Sequence, residues 1–267
     1  SAGVELVFGI PGLKVHSKIC VIEKKTNNKR KRFGFISTGN LNEDTAKVYT
    51  DYTLFTSNEK ILRDVNKVFN FLQVHYKLKK YKHLIVSPHH TNSVLVKLIN
   101  NEIKNKKIGL PSGIKLKLNA ITNFSVIEKL YEASNAGVNI KMIVRGICCL
   151  IPGVKKMSEN IKIISVVDKF LEHSRVYQFN NGGDEKIFIS SADFMTRNIE
   201  NRVEVATPIY DTSLKKEIID VFEIIWNDNV KARRINQKYQ NELIKNDKKS
   251  IRSQFEIFEY YKNKFYS

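Results

Sequence analysis

Only three of the 267 residues are cysteine (Cys20, Cys148 and Cys149), an odd number with no Cys-x-x-Cys spacing. That fits the reduced thiols of an intracellular protein better than a disulfide framework or a structural zinc site. No stretch approaches the roughly 20 consecutive apolar residues of a bilayer-spanning helix, so an integral membrane protein is not expected. The opening Ser1-Ala2-Gly3-Val4-Glu5 lacks a basic segment followed by an apolar one, and no secretory signal is expected there. Acidic residues are in short supply. There are 27 Asp and Glu against 45 Lys and Arg, a formal net charge of +18 at pH 7. What the chain does have is apolar mass. At 42% hydrophobic and 10% aromatic it can bury a core, which excludes wholesale disorder and suits one large domain or two of ordinary size.

A positive excess of this size concentrates polyanions and speeds their capture. Nucleic acid, an acidic membrane surface and polyphosphate would all satisfy it. The plainer reading is a Lys-rich solvated surface, since Lys and Asn recur even in loops. Charge therefore names a class of partner and no more.

Short β-type runs alternate with amphipathic stretches, the α/β pattern. Strands are predicted at 4–8, 18–22, 32–36, 114–118, 138–144, 161–167, 176–179, 186–189 and 203–207. Ile61, Val65, Val68, Phe69 and Leu72 share one helical face, with Ser57 or Asn58 as N-cap. Residues 75–83, rich in Lys and Tyr, read as a linker. A helix is expected over 93–106. Another, over 125–136, stops at Gly137 and leads into the strand at 138–144, a βαβ step. Leu214, Ile218, Phe222 and Ile225 mark a further packed helix. The tail from residue 231 is strongly polar, with a helix from about residue 250.

The main organisational signal is an internal repeat. His16-Ser17-Lys18 and His173-Ser174-Arg175 lie 157 residues apart, each just before a strand, a polar turn and a returning strand. The returning strands end in Ser37-Thr38-Gly39-Asn40 and Ser190-Ser191-Ala192-Asp193. Asp51 and Glu204 then occupy matching late positions. The helix and strand over 125–144 have no counterpart before His16, so a first half shortened at its N-terminus is expected, in a fragment of a longer protein.

A hairpin brings its ends together, so His16 should face Gly39-Asn40 and His173 should face Ala192-Asp193. Packed about a pseudo-two-fold axis, the halves would set both imidazoles across one cleft. Two histidines beside Lys18 and Arg175 suit attack on a phosphoryl group: one is the nucleophile, the other moves a proton, and the cations neutralise oxygens. Asp51 and Glu204 could hold the imidazole Nδ1–H groups and fix their tautomers. Arg145, beyond the C-terminal end of its strand, is where α/β sheets bind ligands and where a guanidinium suits phosphate, although a surface Arg capping a strand reads equally well. Tyr49 could stack on a nucleobase or pack as a buried aromatic. His75, His83, His89 and His90 have no repeat partner and read as solvated. Cys148-Cys149 reads as packing, and Asn181-Gly182-Gly183-Asp184 as a hairpin turn rather than a phosphate loop.

His16-x-Lys18, with Gly39-Asn40 at the far end of the hairpin, resembles the HKD motif of the phospholipase D superfamily. Arg175, Asp193 and Glu23 depart from that pattern. The chain resembles bacterial polyphosphate kinases of the long ATP-using form more closely, over nearly its whole length. The segments that carry this are 37–43, 49–52, 109–113, 144–146, 171–177, 180–184, 189–193 and 196–198. The resemblance implies two phospholipase D-like α/β domains in tandem, at 1–83 and 84–267, the first truncated at its N-terminus. It implies that His16 is phosphorylated and that Tyr49, Arg145 and His173 contact nucleotide, with Arg175 beside them. It also implies ATP, ADP and inorganic polyphosphate as ligands, Mg2+ held chiefly by substrate phosphates, a homo-oligomer and a cytoplasmic setting. No specific nucleic acid is expected; contact of the basic face with the inner membrane stays open. Further N-terminal domains are implied as well, so full activity is not expected of these residues alone. The rivals are a phospholipase D-type phosphodiesterase, which Arg175 argues against, and a non-catalytic polyanion-binding module.

Overall fold

The computed structural model describes residues 3–7, 9–26, 29–74 and 80–266. A two-residue strand, β1 (Lys14–Val15), precedes the hairpin of β2 (Lys18–Thr26) and β3 (Lys29–Ser37), in which Lys18 lies opposite Ser37. A single helical turn, α1 (Glu43–Ala46), leads to β4 (Tyr49–Thr50) and β5 (Thr53–Thr56). β5 pairs with β3 to complete a three-stranded antiparallel sheet. α2 (Glu59–Gln73) starts at Asn58, whose side chain accepts from the Lys60 and Ile61 amides. Its Ile61, Val65, Val68 and Phe71 recur every three or four residues, so they share one face and pack into the core beside Ile36.

The second half opens with β6 (Ile85–Val86), α3 (Thr91–Lys107), β7 (Ile114–Leu118), α4 (Phe124–Asn135), β8 (Ile140–Val144) and β9 (Ile161–Val166). β7, β8 and β9 run parallel, with α4 as the crossover between the first two. Gly137 ends that helix at φ +85°, a left-handed stop that suits glycine. The hairpin then recurs: β10 (Leu171–Glu172), β11 (Arg175–Phe179), a 3₁₀ turn over Asn181–Gly183, and β12 (Lys186–Ser190), with Arg175 opposite Ser190. α5 (Thr196–Glu200), β13 (Arg202–Val203), β14 (Val205–Pro208) and α6 (Thr212–Trp226) close the repeat. β15 (Ala232–Ile235), β16 (Glu242–Leu243) and α7 (Ser253–Tyr266) follow.

Nine strands form one sheet in the order β16-β15-β9-β8-β7-β11-β12-β14-β6. One face of β8 packs Met142 and Val144 among α3 and α4 residues, while Ile143 faces Val221, Phe222 and Ile225 of α6. A strand covered on both sides reads as the near-continuous apolar run seen at 138–144. The halves are joined by two short parallel pairings. β1 lies beside β13, and β10 lies beside β4.

The structure corrects four expectations. Residues 4–7 are exposed and form no strand, and Phe8 lies outside the described residues. The strand expected at 203–207 is broken at Glu204. The polar tail contributes β15, because Ala232 and Ile235 give it enough apolar surface to pair with β9. Finally, His89 is packed edge-on against Phe71 at 4.3 Å, and His83 Nδ1 lies 2.6 Å from the Tyr210 hydroxyl, so neither is merely solvated. His75 and most of the expected linker lie outside the described residues. No helix among the described residues is long and apolar enough to cross a membrane.

Candidate active site

Both acids of the repeat sit where a strand breaks. Asp51 lies between β4 and β5, and Glu204 lies between β13 and β14. A residue outside the ladder can turn its side chain away from the alternation that a strand imposes. The short parallel pairings then set the partners. The His16 and Ser17 amides donate to the Val203 carbonyl at 3.0 and 2.9 Å, and the Ser174 amide donates to the Thr50 carbonyl at 2.9 Å.

Each histidine therefore meets the acid of the opposite half. His16 Nδ1 is 2.9 Å from Glu204 Oε2, and His173 Nδ1 is 2.9 Å from both Asp51 oxygens. Each acid is fixed by a hydroxyl of its own half. Thr38 donates to Asp51 Oδ1 at 2.5 Å, and Ser191 donates to Glu204 Oε2, whose other oxygen accepts from Asn198 Nδ2 at 2.6 Å. A carboxylate is acceptor-only, so each Nδ1 carries a proton, and in the neutral ring that leaves the lone pair on Nε2.

The cations differ between the halves. The Lys18 ammonium donates to the His16 carbonyl and lies in the field of Glu204, Arg175 and Asp51; burial brings its pKa down to about 8. Arg175 is 4% exposed. It donates to Asp193 Oδ2 (3.0 Å from Nη2), to the Thr38 carbonyl, and at 3.1 Å to His173 Nε2. Burial, with Arg175 adding to it, holds the His173 pKa below the ordinary imidazole value despite Asp51. The Nε2 lone pair of His173 is therefore occupied. That of His16 has no hydrogen-bond partner among the described residues, and its side chain is 24% exposed.

Tyr49 is 38% exposed, and its ring lies 4.9 Å from that of His173, so it rims the site rather than packing in the core. Arg145 Nε donates to Asn119 Oδ1, and Asn119 Nδ2 donates to the His173 carbonyl, both at 3.1 Å. The eight predicted residues thus form one connected neighbourhood. Thr38, Ser191, Asn198 and Asn119 were not singled out as site residues from the sequence. Thr38 and Ser191 did carry a signal, since they hold matching places in the repeat. Cys148 packs beside the core with its thiol pKa raised by burial to about 11, while Cys149 is exposed.

Gly39 shows how tightly Asp51 is seated. A Cβ at residue 39 would lie 1.9 Å from Asp51 Oδ2 and 2.2 Å from its Cγ. The second half has Ala192 there and the longer Glu204. Gly39→Ala is expected to push Asp51 off His173 and to cut the turnover of the full-length protein about 100-fold, the cost of an ångström-scale misplacement. Steady-state rates of the full-length variant check this. A change within threefold would show that the carboxylate seat is not needed.

Among the described residues no group of three or more His, Cys, Asp or Glu is placed to hold a metal. Asp51 and Glu204 are already engaged by histidine, hydroxyl and amide donors. The residues present offer magnesium no protein cage, and no step below passes through it.

Fold and site together define the class: an α/β chain built of two matching units, each opening its hairpin on a histidine. Residues 84–254 match the model of the polyphosphate kinase C-terminal domain 2, and residues 1–78 match that of domain 1. Over 263 residues the chain is 44% identical to the polyphosphate kinase of Escherichia coli K12 and 46% identical to that of Vibrio parahaemolyticus. Each match covers 98% of this chain and 38% of the relative. The crystal structure of polyphosphate kinase from Porphyromonas gingivalis superposes with a TM-score of 0.90 at 43% identity, over 95% of this chain and 40% of that one. The chain belongs to the polyphosphate kinase family, and it spans about two fifths of the length of these relatives.

Proposed function

We propose that this chain carries the phosphoryl-transfer site of an ATP:polyphosphate phosphotransferase. The observation behind this is the unpartnered His16 Nε2, its lone pair fixed by Nδ1–H donation to Glu204. In the first step Nε2 attacks the ATP γ-phosphorus, an N–P bond forms, and the bond to the ADP oxygen breaks. In the second, a terminal polyphosphate oxygen attacks that phosphorus, and the N–P bond breaks to regenerate neutral His16. Phosphoryl transfer asks chiefly for position and charge neutralisation. Lys18 and Arg145 neutralise phosphate charge, Tyr49 stacks against the nucleotide, and His173 contacts the transferred group or moves its proton. Arg175 is buried and acts on the phosphate through its electrostatic field and through His173. Magnesium would be held chiefly by the substrate phosphates, where it would neutralise their charge. Use of ATP suits a cytoplasmic enzyme, and the basic surface suits a polyanionic product. The homo-oligomer rests on the resemblance alone.

The full-length protein is expected to convert ATP to polyphosphate through an acid-labile, alkali-stable phosphoenzyme, with this chain alone as the control. Absence of conversion, or hydrolysis of a generic phosphodiester without ATP, would overturn the reading.

A further inference from the structure

Beneath the site lies a buried ion pair that the transfer chemistry above does not use. Lys117, on β7, and Glu172, on β10, are each about 4% exposed, with Nζ 3.1 Å from Oε2. An ammonium this deep is tolerated only if its donors are met. They are met by the residues that flank His173. The ammonium reaches Glu172 on one side, and on the other the Ser174 hydroxyl at 2.8 Å and the Ser174 carbonyl at 3.1 Å.

α7 closes this arrangement from outside. Gln254 Nε2 donates to Glu172 Oε1 and to the Phe170 carbonyl, both at 2.8 Å, while its Oε1 accepts from the Phe170 amide at 2.9 Å. Thr50 holds the remaining edge, its hydroxyl accepting from the His173 amide at 3.3 Å. Residues 170 to 174 are therefore fixed by Lys117, Gln254 and Thr50.

The histidine of the first half has no such support. Val15, which matches Glu172 in the repeat, is 39% exposed. Ser17, which matches Ser174, has a buried hydroxyl without a partner. One half-site is braced from both sides by buried side chains of other elements, and the other is held by its backbone, Glu204 and the neighbouring Lys18.

We propose that Lys117, completed by Glu172 and Gln254, is a positioning residue for His173, holding that imidazole against Asp51 and Arg175 while His16 adjusts to the incoming phosphate. This rests on the reading that His173 takes part in the transfer. The brace acts through His173, so its loss should matter only where His173 is present.

A double-mutant cycle in the full-length enzyme tests this, read by single-turnover phosphate uptake from labelled ATP. Lys117→Met is expected to slow uptake about 10- to 100-fold, the scale of a small misplacement of a reacting group. In a His173→Gln background the same change should alter the rate by less than about twofold, because coupled residues are non-additive. Gln254→Ala, on the partly exposed α7, should slow uptake less and show the same loss of effect; it keeps the test open if Lys117→Met does not fold. Equal losses in both backgrounds would assign the pair a purely structural role and overturn the proposal. A wild-type enzyme that takes up no label would overturn the underlying reading instead.

Discussion

In the full-length protein His16→Ala is expected to take up no label from γ-³²P-ATP, and polyphosphate synthesis should fall by at least about 10⁴-fold, as expected when a covalent nucleophile is removed. His173→Ala should behave differently. Its Nε2 already accepts from Arg175, and its Nδ1 is held by Asp51, so it is placed to assist rather than to attack. That variant is expected to label slowly but at the same residue. The separation between the two variants carries the prediction. Undiminished labelling of His16→Ala at the same peptide, or loss of label from both variants alike, would remove the assignment of His16 as the attacking group.

Glu204→Gln is the second large effect expected, at about 10³- to 10⁴-fold on uptake, the scale of losing the carboxylate that fixes a catalytic imidazole's tautomer. Glu204 is 1% exposed and accepts from three donors: His16, Ser191 and Asn198. A carboxamide of the same size has one accepting oxygen and one donating nitrogen. If the nitrogen faces Asn198, two donors meet in a buried place. If it faces His16, it donates to Nδ1 and moves the imidazole proton to Nε2, which removes the attacking lone pair. The first outcome costs stability, because buried polar groups left unmatched are destabilising by about 1–3 kcal/mol, and the second costs the attacking lone pair. Thermal melting separates the two cases. The first orientation lowers Tm, whereas the second preserves it and abolishes uptake. A variant with both Tm and uptake unchanged would show that Glu204 does not set the tautomer.

The paired hairpins were legible because a sequence repeat survives in them. His-Ser-Lys and His-Ser-Arg open the two hairpins, Thr38 and Ser191 close them, and alternation of Ile, Val and Phe marks their strands. The exchange of acids was not legible. β1, β4, β10 and β13 are each two residues long, too short to show any periodicity, and their pairing is decided by how the halves pack. Asp51 and Glu204 could be named from the repeat, but not assigned to a particular histidine. Lys117 was hidden for another reason. In Ile-Lys-Leu-Lys-Leu it follows the same alternation as Lys115, so the pattern places both at the surface; only the acid at residue 172, one step before His173, shows that one of them is neutralised inside. β15 was missed because Arg233 and Arg234 make it read as a solvated tail, although Ala232 and Ile235 are enough to dock it on β9.

The crossing of β1 to β13 and of β10 to β4 makes the two halves chemically inseparable. A slight rotation of one against the other would draw both carboxylates away at once, leaving two unoriented imidazoles instead of one intact centre and one damaged one. Loosening that seam is therefore all-or-none in its effect: either half expressed apart would hold a histidine and an acid that belong to different partnerships, and function would return only on reassembly.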